Sequence, residues 1–208
     1  MNELTQILRQ YWGHSQFRPL QEEIIRSALE GKDTLALLPT GGGKSVCFQV
    51  PAMAKKGLCL VISPLIALMK DQVENLKKRN IPAEAVYTGM NATEINMILE
   101  QAVKGELKFL YVSPERLQNQ QMQSHIQNMD ICLLAVDEAH CISQWGYDFR
   151  PPYLKIADIR PLLPQGTPIL ALTATATPEV AADMKEFQWQ GSSSFPLPSH
   201  SSNPPFKI

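Results

Sequence analysis

Six short apolar runs punctuate the chain: "TLALL" at 34–38, "LCLVIS" at 58–63, "EAVYT" at 84–88, "KFLYV" at 108–112, "ICLLAV" at 131–136 and "PILALT" at 168–173. Each has the length of a strand and little polar alternation, the pattern of strands covered on both faces. Longer segments with helical spacing lie between them. In "PLIALMKDQVENLKKR" at 64–79, Leu65, Leu68, Met69, Gln72, Val73 and Leu76 recur at three and four residues, with the charges largely on the other face. Strand followed by helix, repeated, predicts an α/β fold with a doubly wound parallel sheet and helices on both faces. Ligands bind such sheets in the loops beyond the carboxyl ends of the strands. The polar clusters fall there: "PTGGGKS" after the first run, "SPLIALMKDQ" after the second, "SPERL" after the fourth, "DEAH" after the fifth and "TATATP" around the end of the sixth. The pattern dissolves after about residue 187, where ten of the fifteen residues from 191 to 205 are Ser or Pro, too few apolar groups for a core. The expected organisation is one domain over 1–187 and a Ser/Pro-rich disordered or foreign tail over 188–208.

Composition narrows the function classes. A chain of 208 residues with 44% hydrophobic content can bury one sizeable core. Its formal net charge of -1 excludes a histone-like mode, so nucleic acid would be held by a local face. Cys47, Cys59, Cys132 and Cys141 lie far apart with no CxxC pair, which favours a reducing, cytoplasmic setting over a disulfide scaffold. The start "MNELTQILRQ" is too polar for a secretory signal, and no apolar segment reaches bilayer length. A soluble protein without a membrane partner is expected.

The stretch "LLPTGGGKSVCFQV" at 37–50 carries the first chemistry. A phosphate cradle between strand and helix needs glycines so that backbone N–H groups can turn inward, a lysine to reach the β and γ phosphates, and a hydroxyl for Mg²⁺. Thr40, Gly41, Gly42, Gly43, Lys44 and Ser45 supply that set. Leu38 stands where the strict pattern begins with glycine, so a glycine turn capped by Ser45 stands beside the cradle as a bland alternative. The second element is "ICLLAVDEAHC", a buried strand ending in an acidic pair. Asp137 is the expected Mg²⁺-side carboxylate and Glu138 the expected general base for an attacking water. A helix N-cap is the bland alternative here.

Together, "PTGGGKS", "SPLIALMKDQV", "SPERL", "LLAVDEAHCISQWGYDFRPPY" and "LTATAT" resemble the consecutive motifs of the first RecA-like domain of RecQ-family DNA helicases, across residues 13–177. "DEAHCISQWG" is the most specific of them, and "FRPLQEEII" resembles the adenine-reading motif of that family. The resemblance implies a RecA-like P-loop NTPase fold and ATP-dependent 3'-5' unwinding of DNA in the full protein, with ATP and Mg²⁺ bound. Gln21 would read the adenine edge, its amide offering a donor and an acceptor side by side, and Arg18 would pack near the base. His14 replaces the family's usual aromatic residue, and Tyr147 stands where a histidine is common.

The resemblance further implies single-stranded and duplex DNA as partners. Ser63, Lys70, Ser113 and Arg116 would meet backbone phosphates, with helix capping an equal alternative for the two serines. Trp145, Phe149 and Arg150 would couple DNA to hydrolysis by stacking and charge, against ordinary core packing for the two aromatics. His140, Thr173 and Thr175 would relay the state of the nucleotide. The family's second RecA-like domain, with its arginine finger, has no counterpart in this sequence, nor do its zinc-binding cysteine cluster and winged helix, so the chain reads as an N-terminal motor half. A non-catalytic nucleotide- or DNA-binding fragment and a DEAH-type RNA helicase are the alternative functions.

Overall fold

The computed structural model describes residues 3–144, 148–175, 177, 179–180 and 182–183. Trp145, Tyr147 and the expected tail at 188–208 lie outside the described residues. The chain order is α1 (Glu3–Trp12), α2 (Gln21–Leu29), β1 (Thr34–Leu37), α3 (Lys44–Ala54), β2 (Leu58–Ile62), α4 (Ile66–Lys77), β3 (Ala83–Val86), α5 (Ala92–Val103), β4 (Phe109–Val112), α6 (Gln120–Ile126), β5 (Ile131–Val136) and β6 (Ile169–Thr173). Short 3-10 segments cover Pro114–Gln118, Ala139–Ile142 and Pro151–Leu162. All six expected runs are strands, each within a residue or two of its anticipated ends.

The strands form one sheet in the order β1-β6-β5-β2-β4-β3. Every pairing is parallel. Both faces are buried because successive strand residues point to opposite sides and both sets are apolar. In β2, Leu58, Leu60 and Ile62 pack with α5, α6 and the 151–162 segment, alongside Leu99, Ile126 and Tyr153. Cys59 and Val61 point the other way, to Ile24 of α2, Phe48 of α3 and Met69 of α4. α1 adds a smaller cluster, with Leu4 and Leu8 against Ile25 and Val50. The β2–β5 register shifts between Leu58/Ile131 and Cys59/Leu133, so Cys132 is the extra residue of a bulge.

The α4 stripe needs correcting. Its buried face is Met69, Val73 and Leu76, while Leu65 and Ile66 are 47% and 36% exposed. Helical spacing begins only at Ile66, because Leu65 is the extended residue before the helix. Asparagines start two of the helices. Asn91 accepts from Glu94 N at 2.8 Å, and Asn119 accepts from Gln121 N at 2.8 Å, each satisfying an otherwise orphaned helix donor.

At the amino edge of the sheet Asp33 fixes the entry of two strands. Its buried carboxylate accepts from Ile169 N at 2.9 Å and lies 3.0 Å from the Arg160 guanidinium. Asp33→Ala leaves that backbone donor and part of a cation unpaired, so the variant should lose about 2–3 kcal/mol of stability. Urea unfolding checks this; an unchanged midpoint and slope would remove Asp33 from the account of the fold.

Candidate nucleotide and nucleic-acid site

β1 stops at Leu37, and Leu38 N extends its alignment by donating to Thr173 O at 3.0 Å. The loop then turns into α3. Gly41 and Gly43 hold left-handed φ angles of 77° and 76°. A Cβ on Gly43 would lie 2.5 Å from Gln21 Nε2, and one on Gly42 2.8 Å from Pro39 O. The backbone clash therefore demands glycine at 42, and the left-handed φ favours it at 43. Gln21 is buried against the loop, its Nε2 3.1 Å from both Gly42 O and Gly43 O and its Oε1 accepting from Arg18 N at 2.9 Å. The Arg18 guanidinium donates to Gly41 O. Both residues of the expected adenine-reading segment thus grip the glycine loop, and the donor and acceptor sides of the Gln21 amide are engaged with backbone.

The acidic pair follows β5. Asp137 N donates to Ile62 O at 2.8 Å, Asp137 O accepts from the Tyr153 hydroxyl at 2.7 Å, and Glu138 N donates to Asp137 Oδ1 at 3.0 Å. Glu138 itself is left-handed, with φ 49° and ψ 48°, a conformation that costs a non-glycine residue about 1–3 kcal/mol. Its neighbours hold it there. Lys44 Nζ lies 3.1 Å from Oε1, and His140 Nδ1 lies 3.3 Å from Oε2. His140 Nδ1 is also 2.9 Å from Thr173 Oγ1, whose hydroxyl donates to Thr175 O at 3.0 Å. Lys44, Glu138, His140, Thr173 and Thr175 therefore form one polar chain from the glycine loop to the sheet edge.

The two carboxyls differ electrically. The His140 hydrogen bond and then the Lys44 charge, against the opposing effect of burial, hold Glu138 below the usual carboxylate range. Burial, and next the Glu138 charge, push Asp137 up to about 6. A Mg²⁺ ion would reverse that penalty, and the hard oxygens of Asp137 and of Ser45, at the start of α3, suit it.

Ser63 and Ser113 follow β2 and β4, whose last residues Ile62 and Val112 pair. Their backbone N–H groups donate to Val112 O and Val86 O. Both hydroxyls are buried without a hydrogen-bond partner among the described residues. Neither caps a helix: Leu65 precedes α4, and Ser113, which precedes the 114–118 turn, makes no side-chain capping bond. Lys70 Nζ lies 4.9 Å over the Tyr87 ring, and Arg116 donates to Tyr87 O through Nε and Nη2, both at 3.2 Å. Arg150 bonds Pro64 O at 3.1 Å and Asp148 at 3.3 Å. Phe149 is half-buried. Tyr87 and Tyr153 escape sequence reading; a lone tyrosine at a strand end or in a proline-rich segment has no period to mark it.

The DEAD/DEAH box helicase family model matches residues 18–184. The chain is 46% identical over 185 residues to the probable ATP-dependent DNA helicase RecS of Bacillus subtilis, covering 88% of this chain and 37% of that protein. It is 45% identical over 170 residues to the ATP-dependent DNA helicase RecQ of Haemophilus influenzae, covering 82% of this chain and 27% of that one. The chain thus spans about a quarter to two fifths of the length of these relatives. Among solved structures, a hypothetical ATP-dependent RNA helicase from Sulfolobus tokodaii superposes with a TM-score of 0.66 at 20% identity, over 91% of this chain and 56% of that one. The helicase Lhr of Mycobacterium smegmatis, solved with ssDNA and AMP-PNP, gives 0.66 at 20% identity over 86% and 26%. Both share the RecA-like fold of helicase domains.

Asp137 carries a raised folded pKa, so its ionisation costs stability above about pH 6 and costs nothing below the unfolded value, near 4. Asp137→Asn should therefore raise stability at pH 8 by about 1–3 kcal/mol, with the gain fading toward pH 4, in denaturant unfolding at both pH values. A gain equal at both pH values would remove the burial argument.

Proposed function

Taking as premise that the chain belongs to the DEAD/DEAH box helicase family, we propose that it is the ATP-binding motor domain of a RecQ-type DNA helicase, acting in the cytoplasm. The polar chain from Lys44 through Glu138 and His140 to Thr173 carries this reading, because it joins the phosphate loop to the edge bearing Ser63 and Ser113. The resemblance of this sequence to DNA helicases favours DNA over RNA as the polymer.

ATP is the substrate. Its phosphates enter over Gly41–Gly43 and draw Lys44 away from Glu138, and the adenine competes for the amide that Gln21 now spends on Gly42 and Gly43. Ser45 and Asp137 would hold Mg²⁺, which when bound would supply positive charge against the phosphates. Glu138, ionised and freed from Lys44, takes a proton from the attacking water. His140 and Thr173 stay bonded to the base and register its proton. Arg150, anchored on Pro64 O at the start of the α4 lead, ties the loop after the acidic pair to the segment beside Ser63. Ser63, Ser113, Lys70 and Arg116 bind backbone phosphates of a single strand, contacts that ignore sequence. A second RecA-like domain in the longer protein supplies the arginine finger and the opening and closing of the cleft.

Calorimetry with ADP separates the roles of the paired side chains. Lys44→Ala should weaken ADP at least about tenfold, since a charge-assisted phosphate contact is lost. Glu138→Gln should leave ADP binding as tight or about threefold tighter, because Lys44 loses a competing partner, while hydrolysis falls about a hundredfold or more in a longer protein carrying the second domain. Weaker ADP binding by the Gln variant would make Glu138 a loop-positioning residue rather than the base. Greater ATPase stimulation by single-stranded RNA than by DNA would favour the RNA helicase.

A further inference from the structure

We propose that His140, Cys141 and Asp148 form a binding site for a thiophilic divalent cation of the Zn²⁺ class. One ligand atom from each of the three lies within 4.8 Å of the other two. His140 Nε2 is 3.9 Å from Cys141 Sγ, and Cys141 Sγ is 3.8 Å from Asp148 Oδ2. Tetrahedral zinc, with bonds of about 2.3 Å to sulfur and 2.0–2.1 Å to nitrogen, separates such ligand atoms by about 3.6 Å. Both pairs that include the sulfur therefore stand a few tenths of an ångström from coordination distance, and a turn of the half-exposed Asp148 carboxylate would close the His140–Asp148 gap, which lies within 4.8 Å, with a fourth position left for water.

Hydrogen bonding fixes which imidazole nitrogen is offered. Thr173 has one hydroxyl proton and donates it to Thr175 O, so its oxygen accepts from His140. The other neighbour of Nδ1 is a Glu138 carboxylate oxygen, an acceptor only. Nδ1 therefore carries the hydrogen, and the lone pair of a neutral ring sits on Nε2, beside Cys141. An imidazole whose far N–H is bonded to a carboxylate is the arrangement that orients histidine toward zinc.

On binding, the Cys141 S–H bond breaks, a metal–sulfur bond forms and the proton leaves to solvent. Asp148 must turn from Arg150, a 3.3 Å pair whose carboxylate is half-exposed and so weakly held. A set of thiolate, imidazole and one carboxylate selects Zn²⁺ or Co²⁺ and rejects Mg²⁺, which prefers oxygen alone. Occupancy would lock the His140 ring on Glu138 and release Arg150, giving the metal a hold on the nucleotide-to-DNA relay. The site itself stands independently of the helicase assignment.

The test uses the untagged 208-residue chain, kept reduced with a phosphine and free of nucleotide, titrated anaerobically with Co²⁺. A thiolate-to-cobalt charge-transfer band with tetrahedral d–d bands should saturate at one equivalent, bleach on adding Zn²⁺ and persist in millimolar Mg²⁺. Cys141→Ser should abolish the charge-transfer band, and Asp148→Asn should weaken Co²⁺ at least about tenfold. Absence of the band, displacement by Mg²⁺, or a band unchanged in Cys141→Ser would overturn the proposal, the last by tracing the sulfur to Cys47, Cys59 or Cys132. If circular dichroism shows Cys141→Ser unfolded, Asp148→Asn at an exposed position decides alone: undiminished affinity there overturns the site.

Discussion

A sheet whose strands all run one way delivers every carboxyl end to a single edge, and the chemistry of this molecule depends on that constraint. Parallel pairing of β5 with β2 and β6, and of β1 with β6, brings the end of the first strand near the end of the fifth. Lys44 and Glu138, 94 positions apart in sequence, consequently meet at 3.1 Å. The same pairing sets Ser63 beside Ser113 and places Thr173 within reach of His140. Burial of both faces makes the register rigid, because a one-residue slip would exchange the side chains of two close-packed layers.

Neighbouring carboxyls in one corner would repel if their surroundings were alike. Here Glu138 has a histidine and a lysine against it, while Asp137 is more deeply enclosed and feels Glu138 as a like charge. The arrangement keeps the expected base ionised and leaves the expected cation ligand short of positive charge. Groups pushed apart in this way are how one site holds two carboxyls in two roles. The left-handed backbone at Glu138 makes the division possible, since the turn immediately after Asp137 directs the second carboxylate to Lys44 and His140.

The strands were legible because each is an unbroken apolar run, and the turn from β1 into α3 because three glycines in a row mark it. Two of these glycines are constrained for reasons composition does not state: Pro39 O lies against Gly42, and Gly43 is left-handed with Gln21 beneath it. Other features depend on distant partners and leave no local mark. Leu65 reads as part of the α4 stripe yet precedes the helix and faces solvent. Ser63 and Ser113 have the sequence of capping residues, but Leu65 takes the position before α4, the Ser113 side chain makes no capping bond, and both hydroxyls are buried. Gln21, read as facing a base, lies against loop carbonyls that only the folded β1–α3 turn creates. The 151–162 segment carries no helical period, since prolines at 151, 152 and 161 break it into 3-10 turns, and Tyr153 is held there by a hydrogen bond to Asp137 O, in the loop after β5.

The two edges of the sheet are energetically unlike, and the difference singles out the carboxyl edge without reference to any motif. At the amino edge polar groups find partners: Lys108 Nζ donates to Lys55 O and Gly57 O, Thr167 to Ile131 O, and Asp33 accepts from Ile169 N. Among the described residues, four buried side-chain polar atoms lack a hydrogen bond by strict geometry. One, Asp33 Oδ2, still lies 3.0 Å from a guanidinium nitrogen. The other three, Ser63 Oγ, Ser113 Oγ and Arg150 Nε, belong to the carboxyl edge. The strained Glu138 and the reluctantly ionised Asp137 lie there too. Each unpaired buried group costs about 1–3 kcal/mol, so a fold selected for stability alone would shed them. A phosphate oxygen or a metal ion at that edge would pair what the protein leaves unpaired, so the missing stabilisation is supplied on binding and not on folding.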